Sequence, residues 1–240
     1  MNISASRCIG CARCVSICPG GAISVEDKKA KIDHDLCFEC GLCYRIGICP
    51  TSAFEKEENL PWPTSVKAIL SDPLTECKET GVTGRGTEEM KTNDVTGRFG
   101  TGEVGICVDV GRPNVGTRLL EVEKLVIALM PTIKDIGTEL EPKNPVSVFV
   151  QNKKTGEFFP ELRNIRVMSA IIEFKIPIDR LVEVLGVLEK AGKEIDTVFS
   201  LGIISRVDEN GRIPAREVLE GNGITVGERG KVNIGLGSKK

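Results

Sequence analysis

The chain has 240 residues, and its 32 Lys and Arg against 34 Asp and Glu leave a net charge of -2, too weak a field to recruit nucleic acid or anionic lipid. Hydrophobic residues at 40% and charged residues at 28% describe a soluble globular protein of one large or two small domains, not a disordered or fibrous chain. Aromatic residues at 4% are too few for a base-stacking platform, and a lone histidine, His34, excludes any multi-histidine metal site.

The ten cysteines carry the signal. The first residues, Met1 to Cys8, contain no apolar export segment, which argues against a secreted disulfide scaffold. The longest uninterrupted apolar run, Leu125 to Met130, falls far short of the roughly 20 residues that cross a bilayer. A cytoplasmic protein without membrane insertion is therefore expected, in a compartment where thiols stay available as ligands.

Eight cysteines fall before residue 50, as Cys8-x2-Cys11-x2-Cys14-x3-Cys18-Pro19 and Cys37-x2-Cys40-x2-Cys43-x5-Cys49-Pro50. The first three of each run repeat with an offset of 29 residues, so the segment is an internal duplication with two similar half-sites. Three thiolates spaced by two residues wrap one face of a cubane well, whereas a single tetrahedral zinc uses such a triplet poorly. In runs of this spacing the fourth cysteine ligates the other cluster. That rule assigns Cys8, Cys11, Cys14 and Cys49 to a first [4Fe-4S] cluster, and Cys37, Cys40, Cys43 and Cys18 to a second.

Residues 1–58 resemble the bacterial-type two-[4Fe-4S] ferredoxins on these cysteines and on Cys18-Pro19-Gly20-Gly21-Ala22-Ile23 and Cys49-Pro50-Thr51-Ser52-Ala53-Phe54. The resemblance implies a small electron-carrying domain over about a quarter of the chain. One departure is the five-residue interval Tyr44 to Ile48, where the first run has three residues. Ile9, Ala12, Val15, Ile17, Ile23, Leu36, Phe38, Leu42, Ile46, Ile48 and Phe54 are expected to form a dry shell. Adding an electron to an anionic centre there requires backbone N–H groups aimed at the sulfurs, and low potentials follow as an expectation. His34, in Lys31–Asp35, reads as a solvated loop residue.

Pro61-Trp62-Pro63 reads as the exit from this first domain, 1–60. A Gly/Thr-rich connecting segment follows over 61–102, with the local repeat Val82–Thr87 and Val95–Thr101. Residues 103–240 read as an α+β domain. Val104, Ile106, Val108 and Val110 alternate as a strand, and Thr117 opens a helix stopped by Pro131. Val146, Val148 and Val150 give a second strand, and Ile172, Phe174 and Ile176 a third. Asp179 to Gly192 forms a second helix and Thr197 to Val207 a fourth strand. This order over about 103–207 is the βαββαβ ferredoxin-like sandwich, extended by a helix at Ala215–Leu219 and a last strand at Lys231–Leu236.

Gly111–Arg118, between strand and helix, matches only the glycine spacing of a P-loop, because Thr117 stands where the lysine belongs. Arg112, with Arg85 and Arg98 from the repeated loops, forms a candidate anion site. Cys107 is expected to be half-buried and Cys77 more exposed, neither as a cluster ligand. The preferred function is a low-potential electron-transfer protein or subunit serving a redox partner docked by the carboxy-terminal domain, as a homo-oligomer or hetero-complex. The alternatives are a reductase or ligand-binding enzyme with an anionic substrate on residues 81–118, or a redox-sensing regulator.

Overall fold

The computed structural model describes residues 1–87, 89–90 and 92–227; the expected strand at Lys231–Leu236 lies outside the described residues. Short strand β1 (Asn2–Ile3) pairs antiparallel with β4 (Phe54–Glu55), closing the first unit end to end. Between them β2 (Ile23–Glu26) and β3 (Lys29–Ile32) form a hairpin. Its two linking residues, Asp27 and Lys28, both hold positive φ (49° and 60°), the two-residue turn whose twist matches paired strands. The extra residues of the second cysteine run form a single helical turn, α1 (Leu42–Arg45).

Helix α2 (Ser65–Ser71) follows, and its Val66 and Leu70 enter the main core. A small hairpin, β5 (Glu76–Cys77) with β6 (Val82–Thr83), and a helical turn, α3 (Asn93–Thr96), complete residues 61–102. These residues are built into the fold: Met90 and Phe99 are fully buried with Cys107, Ile171 and Ile204. Gly105 makes room for them, since a Cβ there would lie 3.1 Å from both Met90 Sδ and Phe99 Cε1.

The carboxy-terminal part is mixed helix and sheet around β7 (Glu103–Val110). Its sheet has three antiparallel strands in the order β12 (Ala170–Pro177), β7, β13 (Phe199–Ser205). β8 (Thr117–Arg118) leads into α4 (Leu119–Ile136), whose Val122, Leu125, Val126, Leu129 and Ile133 are buried against the sheet. The expected stop at Pro131 does not occur. Proline forgoes one helical hydrogen bond, but apolar burial on both sides carries the helix to Gly137, which caps it in the left-handed conformation (φ 77°).

The second expected strand is also corrected. Val146 and Val148 lie in a short helix, α5 (Pro145–Phe149), because the Asn144 side chain accepts the Val146 N–H at 2.8 Å and Pro145 supplies a preset first helical residue. Val150 begins β9 (Val150–Asn152), paired only with β10 (Glu157–Phe158). β11 (Arg166–Val167) pairs with β8, and β12 (Ala170–Pro177) pairs with β7 along its whole length. Where a fourth sheet strand would lie beside β12, the described residues hold one bridge, Leu140 to Phe174. Helix α6 (Leu181–Ala191), strand β13 (Phe199–Ser205) and helix α7 (Pro214–Gly221) complete the described chain.

Candidate metal centre

The duplication seen in the cysteine spacing recurs in the backbone. Gly10 and Glu39, 29 residues apart, both hold positive φ (68° and 54°), as do Ala12 and Gly41 (60° and 66°). After the two-residue insertion the equivalent pair is Gly21 and Ser52 (61° and 48°). Each Cys-Pro element therefore turns the same way. Each also ends with the N–H of the fourth residue on the cysteine sulfur, Ala22 to Cys18 Sγ and Ala53 to Cys49 Sγ, both at 3.3 Å. Ala30 and Glu39 donate similarly to Cys8 Sγ (3.3 Å) and Cys37 Sγ (3.5 Å).

The eight thiols surround two separate hollows. One, about 340 Å³, is lined by Cys8, Cys11, Cys14 and Cys49 with Ile3, Ile9 and Phe54. The other, about 370 Å³, is lined by Cys18, Cys37, Cys40 and Cys43 with Ile23, Ile32 and Phe38. Among the described residues no three His, Cys, Asp or Glu side chains converge tightly enough to hold a single ion. Four cysteines lining an apolar hollow, with backbone N–H groups aimed at several of the sulfurs, suit a polynuclear cluster.

The electrostatic settings of the two hollows differ. Burial pushes the Cys37 thiol up to about 12, with the Glu39 carboxylate adding to the rise. Burial likewise lifts Cys43 to about 11, assisted by the neighbouring Cys40 and Cys18. Cys14 and Cys40 are also raised by burial. At Cys49 burial acts upward but is outweighed by hydrogen bonds from Thr51 and Ala53 and by Arg7, so that thiol is lowered. The thiolates of Cys37 and Cys43 thus need a cationic partner such as iron to persist at neutral pH.

Residues 7–59 match the family model described as a 4Fe-4S dicluster domain. A ferredoxin of Alicyclobacillus acidocaldarius is 41% identical over 58 residues, 23% of this chain and 72% of that protein. The chain belongs to the ferredoxin family. This ferredoxin segment carries two [4Fe-4S] clusters. It is also 48% identical over 48 residues to a component of the ion-translocating oxidoreductase complex of Methanosarcina acetivorans, and 41% identical over 51 residues to the PorD component of pyruvate synthase from Methanothermobacter marburgensis. Those matches cover 20% and 21% of this chain, and it spans only 17% and 57% of the two relatives. No solved structure matches the chain. Among the described residues no helix is long and apolar enough to cross a membrane.

The remaining expectations fare differently. Arg85 Nη1 binds Asp109 Oδ1 and Ser169 Oγ, both at 2.6 Å, and Arg98 Nε pairs with the buried Glu141. Arg112 is exposed. His34 is exposed, and its carbonyl accepts Lys67 Nζ at 2.6 Å. Cys77, expected to be more exposed, is fully buried within the β5–β6 hairpin, with its thiol 3.4 Å from Glu79 Oε2. Cys107 is buried, its thiol 3.4 Å from Glu173 Oε1.

The Gly111–Arg118 loop has a role that its composition concealed. It docks the ferredoxin unit: Asn114 N–H donates to Pro19 O at 2.8 Å, and Gly116 lies against the Phe38 ring that lines the second hollow. Arg166 closes this contact, its guanidinium 5.3 Å from the Phe38 ring centre and its Nη2 bonded to Val115 O at 2.8 Å. On the other side, the fully buried Asp72 at the end of α2 binds Arg45 (2.6 Å) and Lys56 (2.8 Å) of the ferredoxin unit. Lys67 also reaches Cys37 O at 3.1 Å.

Proposed function

We propose that this protein is an electron-transfer component that passes single low-potential electrons through its two clusters to a redox enzyme docked by the carboxy-terminal part. In this reading Cys8, Cys11, Cys14 and Cys49 ligate the first cluster, and Cys37, Cys40, Cys43 and Cys18 the second. The observation that carries it is the crossed membership of the two four-thiol hollows, which welds both cysteine runs into one unit. When bound, the clusters supply reversible one-electron chemistry.

The protein's own contribution is positional and electrostatic. The N–H groups of Ala22, Ala30, Glu39 and Ala53 face sulfur and stabilise added negative charge. Ile3, Ile23, Ile32, Phe38 and Phe54 keep water away, while Ile9, Val15 and Ile46, expected in the dry shell, are exposed. Residues 61–102 tie the ferredoxin domain, 1–60, to the α+β domain, 103–240, whose strand order agrees with three strands of a βαββαβ unit.

Anaerobically purified chain tests the docking claim. Electron delivery to a copurifying redox enzyme is compared for the full chain and for residues 1–60 alone. Slower delivery by the short form is expected, and equal rates would overturn the role given to the carboxy-terminal part.

A further inference from the structure

The two edges of the three-stranded sheet are treated differently. The outer edge of β12 is covered: Ile171 N–H donates to Arg85 O, Glu141 N–H donates to Glu173 O, and Leu140 bridges Phe174. Among the described residues the outer edge of β13 is bare. The bond from Gly111 N–H to Val198 O fixes the alternation, so even-numbered residues of β13 face β7 and Phe199, Leu201, Ile203 and Ser205 turn their backbone groups outward. Among the described residues the N–H and C=O groups of Phe199, Leu201 and Ile203 meet no partner.

Devices that normally blunt a free edge are missing. Phe199-Ser200-Leu201-Gly202-Ile203-Ile204-Ser205 contains no charge and no proline, and its register with β7 is unbroken by any bulge. Three of the exposed large apolar side chains lie on or beside this strand, Val198 (42%), Leu201 (38%) and Val207 (54%).

We infer that β13 pairs with β13 of a second copy of this chain, in an antiparallel, twofold-symmetric register centred on Gly202. This register places Leu201 opposite Ile203 of the second copy and Phe199 opposite Ser205, so every outward-facing residue meets another outward-facing one. The absence of charge removes like-charge opposition, the usual obstacle to self-pairing. The result is a continuous six-stranded sheet in which Leu201 is covered. The ferredoxin units then lie at opposite ends, because Thr197 Oγ1, just before β13, bonds Gly116 O in the docking loop at 2.9 Å. This inference stands independently of the electron-transfer reading.

Sedimentation equilibrium of the anaerobic, cluster-loaded full chain over micromolar to submillimolar concentrations is the test. A mass twice the 26.0 kDa of one chain is expected. Leu201→Pro, which removes two symmetry-related edge bonds, should raise the concentration for half-dimerisation by about tenfold or more. Leu201→Lys, which leaves the backbone able to pair but places charge in the seam, should weaken association in the same direction and covers the case in which the proline variant fails to fold. Unchanged cluster absorbance shows that each variant has folded. A wild-type monomer throughout, or a dimer indifferent to Leu201→Lys, would overturn the inference.

Discussion

Replacing Gly116 with alanine tests whether the carboxy-terminal domain clamps the second cluster site. Two costs add. Gly116 holds φ 69°, and a side chain in that left-handed region costs about 1–2 kcal/mol. The new Cβ would also lie 2.8 Å from Phe38 Cζ and 2.9 Å from Cε1, against a ring that is only 2% exposed and has little room to yield. Overpacking of that kind costs about 1–3 kcal/mol. Gly137→Ala is the internal control, because Gly137 has a similar φ of 77° with nothing within 4 Å of the added carbon. The difference between the two variants isolates the contact with Phe38. Anaerobic urea unfolding, followed through cluster absorbance and the fluorescence of Trp62, should show Gly116→Ala less stable than the control by about 1–3 kcal/mol. Equal stabilities, within about 0.5 kcal/mol, would refute the clamp.

Asp72→Ala should destabilise the chain by about 2–3 kcal/mol, because it strips the buried carboxylate from Arg45 and Lys56, both of which keep some access to water; the same unfolding assay reads this out. In chain freed of its clusters, alkylation at mildly alkaline pH followed by mass spectrometry should modify Cys49 well before Cys37 and Cys43, since burial holds the latter two at about 12 and 11. The Glu103 carboxyl is held below its ordinary value by the Gly100 N–H, with Lys175 assisting. Its contribution to stability is therefore present above the ordinary carboxylate range and lost as pH falls through its folded value. The advantage of wild type over Glu103→Gln should accordingly shrink on acidification, and an advantage that grows would contradict the assignment. Arg112→Ala should leave stability unchanged within about 0.5 kcal/mol, and calorimetry with inorganic phosphate should show no binding at the Gly111–Arg118 loop.

The ferredoxin unit was legible because its constraint is covalent and local. Cysteine spacing, the following proline and a 29-residue repeat specify the turns directly, and the structure repeats them as paired positive φ values at Gly10 and Glu39 and at Ala12 and Gly41. Strands β7 and β12 were readable from alternation because each packs between unlike faces. Val146 and Val148 misled because two valines two residues apart satisfy the strand period while Asn144 and Pro145 start a helix. Pro131 misled because local propensity was overridden by burial on both sides. The Gly111–Arg118 loop owes its environment to residues distant in sequence, Phe38 above all, and no local pattern encodes such a contact.

Iron and acid-labile sulfide determination on anaerobically purified chain, combined with a reductive titration followed by electron paramagnetic resonance, bears most directly on the central claim. About eight irons and eight sulfides per chain, taking up about two electrons in one-electron steps, are expected for paired cubane clusters. About four irons, zinc in place of iron, or a centre that takes up no electrons would contradict the account.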